Sequence, residues 1–592
     1  MCAPAHATAD PNPASIRGER GAWPLYRQWT PAEVEHFSTW IENIFVLKST
    51  GTTDQRLAKL ERVLTDPEMN LLLDEDFRGS PSNPQLDRAS MRAMHSIIDC
   101  GKLTIALTGY YAYRRGLPWM ATHIRSGDGI DVRISSFNVP SGTVSCRDYD
   151  SPGRFLTDAV YGFCTGNYRI EPDGPNAELS DTVPVAIDPD HLMPGSLYYL
   201  DGHVMIVGHI DLFGEVYFLD ATISKTRDLY THNCLSAASG LTPMNAGERP
   251  LSGCYRGFRI HRFPIADTDE DGNVLRVRRR TDAEMAHFGY SLEQYAKAAE
   301  LHEQGVIDAE GVGLPGIQEF IRYRLRSADY MNLTGVLEKH ADRMLEFCKA
   351  REEIVQTAWA DVQELGPIVF PEDLPGQNVF NAHGRWRAHS TMLQDMQARQ
   401  RYFHLINWLD DVRVWFESTP GFVDFGEWTD AGIAGPADLA HIAINEKNRV
   451  FGARSFTYTN SAGKEVRLTL LDVERRMYRL SFDPNHPPEL RWGALPGSRE
   501  AKDAPQMDSV LPDGSRLDMA EAYRRQVYYR TIAHRETDES FLRHMFTEGF
   551  PILKPFDEHF SKWKRLYPSP PLIPVYPQPR EVDRLAKKIE IP

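Results

Sequence analysis

Three side chains in this sequence have the types needed for thiol chemistry at a carbonyl. Cys100 sits in Asp99-Cys100-Gly101-Lys102-Leu103-Thr104, at the head of a stretch whose pattern reads as a helix through Tyr113. A cysteine attacks carbon as its thiolate, which the positive end of a helix and a nearby imidazole both favour. Gly101 leaves room for a substrate carbonyl, and the Cys100 N–H can donate to an oxyanion. Residues 88–98 also look helical, so the pattern allows Cys100 at a helix start or at a mid-helix break. Alone, such a cysteine is more often a buried structural thiol.

His203 changes that balance. It opens the apolar run Gly202-His203-Val204-Met205-Ile206-Val207-Gly208-His209-Ile210, which turns at Phe213-Gly214 and returns as Val216-Tyr217-Phe218-Leu219-Asp220-Ala221-Thr222. With the turn at Asp211 to Gly214, Ile210 pairs with Glu215, Met205 with Asp220 and His203 with Thr222. His203, Met205, Val207 and His209 then share a face, and Asp220 lies diagonally beside His203, able to orient its imidazole. A slip of one residue would carry Asp220 to the other face. His209 and Asp201 are the reserve candidates in another register. The alternative for His203 is a hydrogen-bonded core residue or a metal ligand, but His203 and His209 lie ~20 Å apart along an extended strand and cannot share one metal. Tyr198, Tyr199, Tyr110 and Trp119 are available to line a cleft, although aromatics so placed are usually plain core.

The Asp-Cys-Gly helix start, Pro194-Gly195-Ser196-Leu197-Tyr198-Tyr199 and Gly202-His203-Val204-Met205-Ile206-Val207 resemble the signatures of the NlpC/P60 and wider papain-like superfamily. Leu219-Asp220-Ala221-Thr222 is closer to the Leu-Asp-x-Thr of transglutaminase-like members. The resemblance spans roughly residues 90–262. It implies a Cys100–His203–Asp220 triad, no metal and no cofactor, and hydrolysis or transfer at an amide through a thioester. In NlpC/P60 members the usual substrate is a cell-wall peptide stem, so a peptide or peptidoglycan-type substrate is expected here. The chain departs from that pattern in Gly101, where Ser is usual, in Asp220, where His is frequent, and in a longer Cys-to-His interval. The competing reading is a papain-like scaffold without catalysis whose helical half holds a partner.

These residues need a helix packed on an antiparallel sheet, and the pattern supplies both in the order of an α+β domain. Residues 1–22 read as a flexible lead-in and 23–85 as an N-terminal helical segment. Within the latter, Thr30-Pro31-Ala32-Glu33 is a helix start with a capping box, and Val34, Phe37, Trp40, Ile41 and Ile44 recur at helical spacing. The papain-like domain is expected over 86–265. From 280 to 592 the pattern is mainly helical, with long stretches at 333–365 and 385–417, a β-hairpin inserted at about 454–480, and a Pro-rich extended end from Pro568 to Pro579. Asp267-Thr268-Asp269-Glu270-Asp271-Gly272 begins like a calcium loop. The twelfth position, which should be a bidentate Glu, is Arg278, so a solvated acidic turn is the better reading.

Composition narrows the partners. At 592 residues the chain is expected to hold two to four domains or subdomains. Sixty-six basic against 82 acidic residues give a net charge of −16, which argues against nucleic acid or an anionic membrane surface. No run approaches the ~18 apolar residues of a membrane span, and the N-terminus lacks a signal-peptide pattern. Cys2, followed by small residues and Ala9-Asp10-Pro11-Asn12-Pro13, suits a bacterial lipoprotein whose leader was replaced by Met1. That would place the chain at the cell envelope, and the other reading is an ordinary cytoplasmic N-terminus. Seven scattered cysteines without a CxxC speak against a disulfide framework or a zinc site. The oligomeric state is left open.

Overall fold

The computed structural model describes residues 15–515 with gaps, among them 133–137, 201–202, 222–228, 234–256, 372–381, many positions in 393–434, and most of 503–513. The chain mixes helices with small antiparallel sheets, an α+β composition. It forms two compact units, one made of residues up to Ser327 and the other chiefly of Ala328 onward.

The first unit is built around helix α1 (Pro31–Thr50), helix α2 (Cys100–Arg115) and a six-stranded sheet. Thr30 caps α1, its Oγ1 accepting from Glu33 N at 3.2 Å, with Pro31 in the first turn. The expected second half of the capping box is absent. Glu33 instead sends its carboxylate to the Arg115 guanidinium at 2.7 and 2.8 Å and to the Tyr111 hydroxyl at 2.7 Å. A buried charge pair of this kind outcompetes one exposed backbone cap. Phe37, Trp40, Ile41 and Ile44 form the buried stripe.

Helix α2 is a new helix and not the continuation of 88–98. Asp99 breaks the path with an extended backbone (φ −137°), and its Oδ1 accepts from Lys102 N at 3.0 Å. Every residue of α2 except the half-buried Lys102 is buried, so this helix is the centre of the unit. It ends at Gly116 (φ +67°), where a side chain would be strained and would collide with the Tyr26 ring.

The sheet contains β1 (Thr182–Pro184), β2 (Leu197–Leu200), β3 (His203–Ile210), β4 (Val216–Ala221), β5 (Leu229–Asn233) and β6 (Gly257–His261), in the order β1-β6-β2-β3-β4-β5. All of its pairings are antiparallel. The unit also absorbs segments expected elsewhere. Ser15–Gly18 is a strand on Leu25–Arg27 with Ile16 buried, so the lead-in is structured from Ser15. The Gln28 amide brackets Ala266, donating to its carbonyl at 2.5 Å and accepting from its N–H at 3.0 Å, and Arg280 Nη2 donates to Trp29 O at 2.7 Å.

The domain end expected near 265–280 moves to Ser327 because the next helices return to the sheet. Gln294 accepts from Phe258 N and donates to Phe258 O, both at 2.9 Å, and Arg324 Nε donates to Ile187 O at 3.2 Å. The acidic loop is the turn of a hairpin between Ile265–Thr268 and Val274–Arg278. Asp269 accepts from Asp271 N and Asn273 N, while Asp267 pairs with Arg276 and Arg278.

In the second unit the helix expected at 333–365 runs from Leu333 to Leu365. The pattern at 385–417 opens as a short helix, Gly384–His389, closed by Ser390; Met392, Tyr402, Leu405 and Trp415 beyond it are buried. The inserted hairpin pairs Ser455–Thr459 with Glu465–Thr469 and stops there, because Thr469 caps a helix, Leu470–Arg476, inside the span expected to be hairpin. Pro568 to Pro579 and the helical patterns beyond 516 lie outside the described residues.

Candidate active site

Cys100 is the first residue of α2 and is 7 % exposed. The peptide N–H groups of Cys100 and Gly101 make no hydrogen bond to any described residue, as expected for the first turn of a helix whose cap bonds the third residue. Lys102 Nζ is held 2.7 Å from Asp99 Oδ2, so these two charges flanking Cys100 in the chain largely neutralise one another. Gly101 is pressed against Cys164-Thr165: a Cβ there would lie 3.0 Å from Thr165 N. Tyr168 closes this corner, its hydroxyl 2.5 Å from Thr104 Oγ1 and 3.2 Å from Gly101 O.

The hairpin register agrees with the sequence reading at one end and departs from it at the other. Ile206 stands opposite Leu219 and Val207 opposite Phe218, which carries Met205 to Asp220 one step further on. At the turn, Ile210 pairs with Val216 and not with Glu215, because a bulge lies between Val207 and His209. The extra residue turns His209 over. It stands opposite Tyr217, away from the face of Met205 and Val207, and its Nδ1 lies 2.6 Å from Glu42 Oε1 of α1. His209, a reserve candidate, is thereby engaged in tying α1 to the sheet. Position 203 pairs with Leu200, and the His203 side chain lies outside the described residues, as do Asp201 and Thr222.

Directly opposed residues project to the same face, so the ladder sorts the sheet into two sides. Tyr199, Val204, Ile206, Leu219 and Ala221 belong to one side; Tyr198, Met205, Val207, Phe218, Phe258 and Asp220 belong to the other. Position 203 alternates with 205 and falls in the second set. Three contacts show that both helices pack on the first side. The Tyr168 ring stacks on Tyr199 with centroids 5.7 Å apart, a Cβ on Gly208 would meet the Phe45 ring of α1, and His261 abuts Trp119, whose indole nitrogen faces Gly109 of α2. The second side carries the Tyr198–Phe258 and Tyr198–Phe218 contacts at 4.7 and 5.8 Å. Asp220 is buried there, its Oδ1 accepting from Ala221 N at 2.7 Å.

The structure therefore groups positions 203 and 220 on one face and sets the Cys100 helix against the other. His261 does lie on the helix side, but against Trp119, whose indole meets Gly109, a residue ~14 Å along α2 from Cys100. The proposed cleft aromatics divide. Tyr110 and Trp119 are fully packed core residues, Tyr198 belongs to the far side, and Tyr199 is the one that reaches the Cys100 corner, its hydroxyl accepting from Arg169 Nε at 2.9 Å. Cys164, half-buried and beside Gly101, gave no signal in the sequence because an isolated cysteine carries no pattern. Burial holds its thiol above the ordinary range.

Among the described residues no three His, Cys, Asp or Glu side chains converge as a metal site requires, and no helix is long and apolar enough to cross a membrane. Comparison with protein-family models, curated proteins and solved structures finds no match.

Proposed function

We propose that this chain is a papain-like cysteine-dependent amide hydrolase acting on a peptide or peptidoglycan-type substrate at a bacterial cell envelope. Cys100 Sγ attacks the amide carbonyl, His203 takes the thiol proton and returns it to the leaving amine, and water then cleaves the thioester. Asp220 orients the imidazole; an amine in place of water would make the second step a transfer. The observation that carries this reading is the position of Cys100 at the first residue of a buried helix, beside two peptide N–H groups that bond no described residue. Such donors suit the oxyanion of an acyl transfer. The shared face of positions 203 and 220 supports the pairing of base and orienting acid.

A second reading, a papain-like scaffold that binds a partner without catalysis, is favoured by one observation: Asp220 lies across the sheet from the helix that carries Cys100. Iodoacetamide labelling of Cys100 as a function of pH, followed by mass spectrometry in wild type and His203→Ala, separates the two. A labelling rate that reaches its plateau well below the free-thiol value of ~8.5, and loses that plateau in His203→Ala, supports the hydrolase. Identical profiles in the two proteins exclude it and favour the scaffold.

A further inference from the structure

On the helix side of the sheet four polar atoms from three neighbouring residues are sealed from solvent with no hydrogen-bond partner among the described residues: Trp119 Nε1, both ring nitrogens of His261, and Thr182 Oγ1. The residues are brought together by the fold. His261 and Thr182 face one another across the β6–β1 ladder, and the rings of His261 and Trp119 meet edge to face at 5.3 Å. Trp119 leads into the strand Met120–Ser126, whose Thr122 N donates to Asp181 next to Thr182 at 2.6 Å. Trp119 is 2 %, Thr182 2 % and His261 1 % exposed.

A buried polar group left unpaired bears its full desolvation cost, so four together are not a stable arrangement for a dry core. Their chemistry is complementary to a small neutral molecule. The indole offers a donor, a neutral imidazole one donor and one acceptor, and the hydroxyl both. No carboxylate, lysine or arginine belongs to the cluster, so an ion has no counter-charge there. We infer that an internal water occupies this corner and bridges Trp119 to His261 and Thr182. It accepts from the indole N–H and donates to the histidine nitrogen or the threonine hydroxyl. Internal waters with about three such bonds are a regular part of protein interiors.

A crystal structure of the full chain at a resolution that shows ordered solvent tests this without any variant. The expected result is a water within about 2.7–3.2 Å of Trp119 Nε1 and of at least one of His261 and Thr182. Absence of that density, with His261 bonded directly to Thr182 or the indole N–H aimed at the imidazole face, overturns the inference. Thermal unfolding supplies a second readout in Trp119→Phe, Thr182→Val and the double variant. A shared water predicts that the double variant loses clearly less than the sum of the two single shifts, whereas strictly additive shifts overturn it.

Discussion

The ring of Tyr168 lies nearly parallel over that of Tyr199, 15° between planes, while its hydroxyl reaches back to Gly101 O and Thr104 Oγ1. One side chain thus joins the first turn of the Cys100 helix to strand β2 of the sheet. It also makes Tyr168 a sensitive point. Tyr168→Ala should destabilise the first unit by about 3–5 kcal/mol, the range for emptying a buried aromatic site. Tyr168→Phe, which keeps the stack and loses the hydroxyl bonds, should cost about 1 kcal/mol. Urea midpoints of the two variants check the ratio, and equal losses would contradict the stacking role.

The bulge in β3 has a steric signature. A Cβ on Gly208 would lie 2.4 Å from Phe45 Cδ2, inside any tolerable contact, and Phe45 is held between His209 and Tyr217. Gly208→Ala should cost about 1–3 kcal/mol as an overpacked core position. Combining it with Phe45→Leu should recover part of that loss, because the shorter side chain vacates the contact. Calorimetry on the single and double variants reads this as non-additivity; a fully additive double variant would contradict the contact.

Burial pushes His261 down to about 3. The folded state therefore keeps it neutral while the unfolded chain takes up a proton below ~6.5. The stability linked to this group is fully present above that value and falls as pH drops from 6.5 toward 3, by about 1.4 kcal/mol per pH unit. His261→Leu should flatten this limb of the pH–stability curve, measured by denaturant unfolding between pH 7 and 4.5. An unchanged slope would contradict a neutral buried imidazole.

In the second unit Lys447 Nζ lies 2.7 Å from both carboxylate oxygens of Glu474, and Tyr402 donates to the same carboxylate at 2.5 Å, all of it buried. Lys447→Met should cost about 3–5 kcal/mol by leaving that carboxylate uncompensated. Lys447→Met with Glu474→Leu should cost less than the single change, since the stranded charge is gone. A double variant worse than Lys447→Met would show that the pair contributes net stability beyond its burial cost.

Much of this was legible in the sequence where local rules decide. Thr30-Pro31 marked a helix start because capping depends on a few adjacent residues, whereas the start at Cys100 stayed open in the sequence and is decided by the extended Asp99 cap in the structure. The register that sets Ile206 opposite Leu219 and Val207 opposite Phe218 was also legible, since period-two alternation carries register. The turn-end register was not, because a bulge leaves alternation intact on either side and shifts only the count. Nor was the side of the sheet that meets α2. Val204 and Ile206 on one side and Met205 and Val207 on the other are all buried, so hydrophobic patterning cannot tell the faces apart. The domain end escaped for a similar reason: Gln294 and Arg324 act through backbone atoms of Phe258 and Ile187, and such bonds leave no mark on side-chain periodicity.

The long-range clasps of the first unit bear on how the chain is made. Gln28 is satisfied by Ala266, and the carbonyl of Trp29 by Arg280. Until residue 280 leaves the ribosome, the strand at Ser15, the buried Trp23 and Trp29, and the start of α1 have no completed surroundings. At 5–20 residues per second that interval lasts on the order of ten seconds or more. For that time the nascent chain carries large aromatics whose folded surroundings are still incomplete.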